Sequence, residues 1–127
     1  MPRQPIHSDA APAAIGPYSQ AVRHGNTVYL SGQIPLDPAT GQLVEGDITA
    51  QARRAFDNLR AVCAAAGGSF ANVVRVGLYL TDLGEFAAVN AVMAEYFEAP
   101  YPARSTIQVS ALPRSAQFEV DAVMVLD

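Results

Sequence analysis

The chain has 127 residues, of which half are hydrophobic and 16% are charged, so it fits one folded domain over residues 1–127 and excludes a disordered chain. Its formal net charge is −4 with eight Lys and Arg residues, which argues against functions that need a basic surface, above all nucleic-acid binding. The single cysteine excludes an intrachain disulfide, and no apolar run is long enough to span a bilayer. We therefore expect a cytoplasmic protein with no membrane partner.

The first third of the chain predicts an irregular lead-in followed by a β-hairpin. Residues 1–14 are rich in Pro and Ala and carry no clear pattern. Residues 18–23 and 27–32 have the composition of short strands, and the turn residues 24–26 separate them. Residues 35–46, with their Asp-Pro and Thr-Gly pairs, predict a loop.

A first helix follows this loop. Asp47 can cap it, and apolar residues recur every three or four positions up to Gly67 and Gly68, which end the helix. These apolar positions are Ile48, Ala52, Ala55, Leu59, Val62 and Ala66. Cys63 lies on or beside the same stripe. We interpret it as a core residue, because a catalytic thiol needs an accessible, electropositive setting.

A second helix is predicted between two strands. Residues 72–80 form the clearest strand of the sequence, and Thr81 or Asp82 can cap the helix after it. The apolar stripe of this helix consists of Phe86, Val89, Met93 and Phe97. Pro100 and Pro102 prevent the helix from continuing.

Strands at residues 104–109 and 118–126 complete the order ββαβαββ, an α+β fold with one mixed sheet. Each helix joins two strands, so right-handed crossovers place both helices on the same face of that sheet. The opposite face is left uncovered, yet residues 28–30 and 73–80 are too apolar for a solvated face. We therefore expect a second copy of the chain to cover it, and hence a homo-oligomer.

No motif for a metal or a cofactor stands out in the sequence. His7 and His24 each lack a second ligand at metal-binding spacing. The chain has no lysine for a phosphate-binding loop, and it has no Gly-x-Gly-x-x-Gly. Gly-x-Ser-x-Gly is also absent, although a Ser-His-Asp arrangement built from distant residues stays open. We expect no metal and no cofactor.

Candidate functional residues lie at predicted strand ends and on the second helix. Arg104 enters a strand from a Pro-x-Pro loop, where its planar guanidinium either binds a small carboxylate or carries surface charge. Gly32 either lets a ligand approach the backbone or marks a β-bulge. Asn90 fits a solvated helix position. Glu119 is either a surface carboxylate or, on a face that a partner covers, a group that needs a counter-charge or a function.

Several segments together resemble the YjgF/Rid family of small imine deaminases, also known as liver perchloric-acid-soluble proteins. The matching segments run in the same order over nearly the whole chain: AAIGPYSQ at residues 13–20, SGQIP at 31–35, QAR at 51–53, NL at 58–59, VN at 89–90, PARS at 102–105, LP at 112–113 and EVDA at 119–122. The resemblance implies a chorismate-mutase-like fold and a homotrimer with active sites in clefts between subunits. It also implies hydrolysis of 2-imino acids to 2-oxo acids and ammonia without a cofactor.

The same resemblance implies roles for individual residues. Arg104 would bind the substrate carboxylate, and Glu119 would position or activate water, with the nearby arginine keeping this carboxylate ionised. The implied substrate contacts are Tyr18, from a neighbouring subunit, and Ser31, Gly32, Asn90, Arg104 and Thr106. Thr106 stands where many members have Cys. Because the addition of water needs no thiol nucleophile, we expect activity to survive this difference.

Two alternative functions stay open. A protein with this fold could bind a small ligand as a regulator without turnover. Some relatives also carry an endoribonuclease label, although the acidic net charge and the absence of lysine argue against RNA as a partner.

Overall fold

The computed structural model of the protein describes residues 2–127, so Met1, the first residue of the expected lead-in, lies outside the described residues. Within this range the chain forms six strands and two α-helices. The strands are β1 (Gln4–Ile6), β2 (Ala21–His24), β3 (Thr27–Gln33), β4 (Val73–Leu80), β5 (Ala103–Gln108) and β6 (Phe118–Val125), and the helices are α1 (Ile48–Ala65) and α2 (Phe86–Tyr96). No helix of residues 2–127 is long and apolar enough to cross a membrane.

One mixed sheet contains all six strands, in the order β1-β2-β3-β6-β4-β5. Neighbouring strands run antiparallel except β4 and β5, which are parallel because α2 connects them as a crossover. Both helices pack on one face of this sheet. The predicted α+β class, with two helices on a mixed sheet, is therefore confirmed.

The N-terminal part of the sheet differs from the sequence-based expectation in two places. Residues 1–14 were expected to be irregular, but Gln4–Ile6 pairs antiparallel with β2 and forms one edge of the sheet. Pro5 is tolerated there because an edge strand has one side without a pairing partner. The predicted hairpin is present, but β2 begins at Ala21, so Tyr18 precedes the strand that was expected to contain it.

The first helix begins and ends as predicted. The Asp47 side chain accepts a hydrogen bond from the backbone N–H of Ala50 at 3.0 Å and caps α1. At the other end Gly67 has φ +89°, and the N–H groups of Gly67 and Gly68 donate to carbonyls of the last turn in a Schellman motif. Cys63 is fully buried, and burial raises the pKa of its thiol to about 12, which suits a core residue and not a nucleophile.

The second helix is preceded by a single 3₁₀ turn. Neither predicted cap is used by α2 itself, whose N-cap is Glu85 without a side-chain hydrogen bond. The Asp82 carboxylate instead caps the 3₁₀ turn, where it accepts a hydrogen bond from the backbone N–H of Gly84 at 2.8 Å. The residues that this part of the chain buries are Val89, Val92, Met93 and Phe97. Phe86, which the pattern assigned to the same stripe, is only half-buried.

The core lies between the helices and the sheet, and its largest fully buried side chains include Phe56, Leu59, Leu78, Phe118 and Met124. The opposite face, which we call the open face, carries Tyr29, Ile107 and Val125. Each of these three side chains is at least 40% exposed. As predicted, the helices do not cover the second face of the sheet. This face is mixed and not purely apolar, because it also carries Arg75, Tyr79 and Asp121, whereas the apolar residues Val76, Leu78 and Leu80 of β4 are buried on the helix side.

Candidate functional site

The candidate residues separate into two groups on opposite faces of the sheet. In β5, Arg104 lies level with Val76, whose side chain is buried under the helices, so Arg104 points to the helix side. In β6, Glu119 alternates with the buried Phe118 and Val120, so it points to the open face. One chain therefore does not bring the guanidinium and the carboxylate together.

Arg104 lies against α2. Its Nη1 donates a hydrogen bond to Oδ1 of Asn90 at 2.7 Å and lies 3.5 Å from the sulfur of Met93. The guanidinium carbon lies 5.1 Å from the centre of the Phe86 ring. Asn90 is exposed, as expected for a solvated helix position, but its amide also holds the arginine. A groove of about 400 Å³ runs beside these groups, lined by Asn90, Met93, Ala94, Tyr101, Pro102 and Arg104.

The Arg104 guanidinium keeps one edge free. Within residues 2–127 its hydrogen bonds come from Nη1, and none comes from Nε or Nη2. The ion pairs in this range join His7 to Asp9, Arg53 to Glu95 and Arg60 to Asp57. The surface ion-pair interpretation of Arg104 thus has no carboxylate partner in the described part of the chain. The Nε–Nη2 edge can donate two parallel hydrogen bonds to a carboxylate.

Glu119 lies in a smaller pocket beside β3, with a volume of about 130 Å³ and with Pro12, Tyr18, Gln20, Ile34 and Pro113 among its lining residues. The side chain is half-buried. Its carboxylate packs directly on the backbone of Gly32, where any β-carbon would overlap with it. The pairing of β3 with β6 also shifts register between Leu30 and Gln33. The bulge interpretation of Gly32 therefore agrees with the structure, and the group that closely approaches its backbone is the side chain of Glu119, while the approach of a ligand stays a prediction.

The pKa of the Glu119 carboxyl is raised above its usual value, first because the group is partly buried and second because of the Asp121 carboxylate nearby. Asp121 itself accepts a hydrogen bond from the Tyr79 hydroxyl at 2.9 Å. The expected effect of Arg104 on the ionisation of Glu119 belongs to a cleft between subunits and stays a prediction, since within one chain the two side chains lie on opposite faces of the sheet. The raised pKa makes Glu119 a stronger base than an exposed Glu.

The remaining candidates, Tyr18, Ser31 and Thr106, lie at different places relative to Arg104 and Glu119. Tyr18 is 55% exposed and lines the smaller pocket. The Ser31 hydroxyl donates to the carbonyl of Ser19 at 2.6 Å, so it fixes the chain before β2. Thr106 lies on the same side of β5 as Arg104. Its Oγ1 is the one buried side-chain polar atom of residues 2–127 that has no hydrogen-bond partner.

Neither group of residues has the composition of a metal site. In the part of the chain that the structure describes, no three His, Cys, Asp or Glu side chains lie close enough together to hold a metal ion. The functional groups of the two pockets are a guanidinium, which can bind an anion, and a carboxylate, which can transfer a proton.

Comparison with known proteins identifies the family. A family model described as Endoribonuclease L-PSP matches residues 8–126. The chain belongs to the L-PSP/Rid family. Its relatives include protein DfrA of Myxococcus xanthus, which is 58% identical over 98% of this chain and 97% of its own. Another, the 2-iminobutanoate/2-iminopropanoate deaminase of Dermatophagoides farinae, is 44% identical over 99% of this chain and 98% of its own. The crystal structure of RidA from the Antarctic bacterium Psychrobacter sp. PAMC 21119 has a TM-score of 0.93 at 49% identity, and the match covers 97% of this chain and 99% of that one.

Buried amide side chains support the smaller pocket of this Rid-family chain, and the sequence analysis named them only within matching segments and gave them no role. Nε2 of Gln20 donates to the carbonyl of Pro12 at 2.8 Å. Nδ2 of Asn58 donates to the carbonyl of Leu36 at 2.9 Å. Both carbonyls belong to residues that line the pocket. The available signal was Asn58 itself, a polar residue beside Leu59 on the buried side of an amphipathic helix.

Proposed function

We propose that the protein is a hydrolytic deaminase that converts 2-imino acids into 2-oxo acids and ammonia. The observation that carries this proposal is the Nε–Nη2 edge of Arg104, which has no partner within residues 2–127 and borders a groove of about 400 Å³. Such a groove is large enough for a small organic acid. A relative 44% identical to this chain carries the name 2-iminobutanoate/2-iminopropanoate deaminase, and we propose the same substrate class here.

A complete site of this kind needs two copies of the chain. Arg104 lies on the helix side of β5, which is an edge strand, whereas Glu119 lies on the open face. We propose a homotrimer in which the open face, with its exposed Tyr29, Ile107 and Val125, packs against a neighbouring copy. At the rim of that interface, Arg104 of one copy and Glu119 of the next face a shared cleft.

The mechanism follows from the chemistry of an imino acid, which has an electrophilic carbon next to its carboxylate. Arg104 holds the carboxylate, so that water attacks a carbon whose position is already fixed. The Glu119 carboxylate accepts a proton from this water as its oxygen bonds to the imine carbon. The proton then passes to the nitrogen and gives a carbinolamine. Glu119 next takes the proton of the new hydroxyl group and delivers it to the amino nitrogen, so that the carbon–nitrogen bond breaks and leaves a 2-oxo acid and ammonia. The raised pKa of Glu119 favours the first transfer, since a more basic carboxylate accepts the proton more readily.

The same geometry supports a second function, a ligand-binding module without turnover. A free guanidinium edge binds a carboxylate whether or not water is activated nearby. The Glu119→Gln variant separates the two functions. In a deaminase it lowers ammonia release and keeps 2-oxo acid binding, whereas in a binding module the parent protein already releases no ammonia above the uncatalysed rate.

An endoribonuclease function is suggested by the family description, while the net charge of −4 and the absence of lysine disfavour it. RNA cleavage that co-purifies with the protein, and that disappears in the Arg104→Ala and Glu119→Gln variants, would establish this function instead.

The deaminase proposal is tested by ammonia release from a panel of imines generated in situ by an amino-acid oxidase. Replacing Arg104 by Ala removes a charge-assisted pair of hydrogen bonds worth about 3 kcal/mol, so kcat/KM falls about a hundredfold. Arg3→Ala is the matched control, because it removes an exposed guanidinium at the N-terminal edge and leaves the rate unchanged. An Arg104→Ala variant as active as the parent protein would refute the carboxylate-binding role.

A further inference from the structure

We propose that Phe86 is a positioning residue that holds the Arg104 guanidinium ready for a carboxylate, an inference that rests on the proposed role of Arg104. The guanidinium carbon lies 5.1 Å from the centre of the Phe86 ring, within the range of a cation–π contact. The ring attracts the cation through its negative face without occupying any particular N–H group. A carboxylate at the same place would hold the arginine equally well, but it would compete with the substrate.

Phe86 acts together with two other residues of α2. Phe86, Asn90 and Met93 follow the spacing i, i+4, i+7, which places their side chains along one stripe of the helix. Oδ1 of Asn90 accepts a hydrogen bond from Nη1 at 2.7 Å, and the sulfur of Met93 lies 3.5 Å from the same nitrogen. Because both polar contacts use Nη1, the Nε and Nη2 donors stay side by side on the free edge. This edge has the geometry that a carboxylate requires.

Core packing does not account for Phe86. The sequence pattern grouped it with Val89, Met93 and Phe97, which the fold buries, whereas Phe86 stays half-buried at the first residue of α2. A purely structural role would be met by any apolar side chain of similar size. The contact with the guanidinium needs an aromatic face, so Leu and Tyr at this position lead to different expectations.

The inference is tested by calorimetric titration with 2-oxobutanoate, a member of the proposed product class. Phe86→Leu keeps an apolar side chain and removes the ring, so 2-oxobutanoate binds about threefold to thirtyfold more weakly. Phe86→Tyr keeps the ring and binds within about twofold of the parent protein. In an Arg104→Ala background, Phe86→Leu has no further effect, because the ring acts only through the guanidinium.

The KM and kcat of the deaminase reaction give a second measurement, which distinguishes a positioning role of Phe86 from a purely structural one. Arg104 binds the substrate carboxylate equally in the ground state and in the transition state. Phe86→Leu therefore raises KM and changes kcat little. A loss of fold would lower kcat as well, and it would also affect the Arg104→Ala background.

The outcomes separate this inference from the proposed function. If the parent protein binds 2-oxobutanoate but releases no ammonia, and Phe86→Leu still weakens binding, the positioning role stands and the deaminase proposal fails. If Phe86→Leu binds as tightly as the parent protein, or weakens binding equally in the Arg104→Ala background, the positioning role is refuted. A parent protein that does not bind 2-oxobutanoate at all would also refute it, because there would then be no carboxylate for Arg104 to hold.

Discussion

The carboxylate of Glu119 rests on the backbone of Gly32, and the space between them admits no β-carbon. Gly32 is not among the glycines with positive φ, so the requirement is for close approach and not for an unusual backbone conformation. In the proposed mechanism this glycine determines where the general base lies. The relationship gives a way to displace Glu119 without changing its chemistry.

We predict that Gly32→Ala lowers kcat by at least about tenfold, because the new methyl group pushes the proposed base out of position. The fold survives, since the atoms that must move are at the end of a Glu side chain. Ammonia release measures the activity and a thermal melt measures the fold. In a Glu119→Gln background the same substitution has no further effect on kcat, and full activity of Gly32→Ala alone would contradict the proposed role of Glu119.

The acid side of the pH–rate profile depends on Glu119. Burial and the Asp121 carboxylate raise the pKa of Glu119 above its usual value. A general base works only when it is deprotonated, so kcat begins to fall at a higher pH than it would with an exposed Glu. Asp121→Asn removes the second cause, and we predict that the acid limb then moves to lower pH. Profiles of the two proteins that coincide would show that Asp121 does not influence the base.

Thr106 has a buried hydroxyl without a hydrogen-bond partner in the described chain. Thr106→Val keeps the shape of the side chain and removes the unsatisfied group, so we predict that it raises the free energy of unfolding by about 1 kcal/mol. Thr106→Cys restores the residue common in the family, and we predict a kcat/KM within about twofold of the parent protein for both variants. Urea unfolding and the deaminase assay measure the two quantities.

Thr40→Val is the matched control for Thr106→Val. The Thr40 hydroxyl accepts a hydrogen bond from the backbone N–H of Gln42 at 3.2 Å, so its removal brings no gain in stability. A loss of stability in Thr106→Val would mean that its hydroxyl is hydrogen-bonded in the assembled protein.

Local signals in the sequence were sufficient for most of the fold. The ends of α1 at Asp47 and Gly67 were predictable because a capping side chain and a glycine in left-handed conformation are local features that single residues reveal. Pro5 lies in β1, which no local pattern predicts. The segment is a strand because it pairs with β2, which is distant in sequence, and not because of its own composition. Phe86 shows the limit of periodicity, which cannot distinguish a core aromatic residue from one that contacts a charge at the helix surface.

For the candidate site, the sequence named residues and the resemblance implied a cleft between subunits, and both stay predictions, while the face of the sheet on which each residue lies came only in part from the sequence. The alternation in β6 places Glu119 on the open face, as the sequence predicted. The face that Arg104 occupies depends on the parallel register of β5 with β4, and no pattern within β5 encodes that register. Sequence could therefore name the two residues, while only the sheet showed that one chain keeps them apart.

The central claim is that Arg104 of one copy and Glu119 of another form one site, and subunit mixing tests it most directly. We expect the Arg104→Ala and Glu119→Gln variants each to be about a hundredfold less active than the parent protein when tested alone. After equal amounts are unfolded together and refolded as mixed oligomers, we predict a return of about a quarter of the parent activity, because random assembly pairs an intact Arg104 with an intact Glu119 at one interface in four. Mixed oligomers that remain as inactive as either variant, with subunit exchange verified by mass spectrometry, would contradict the claim.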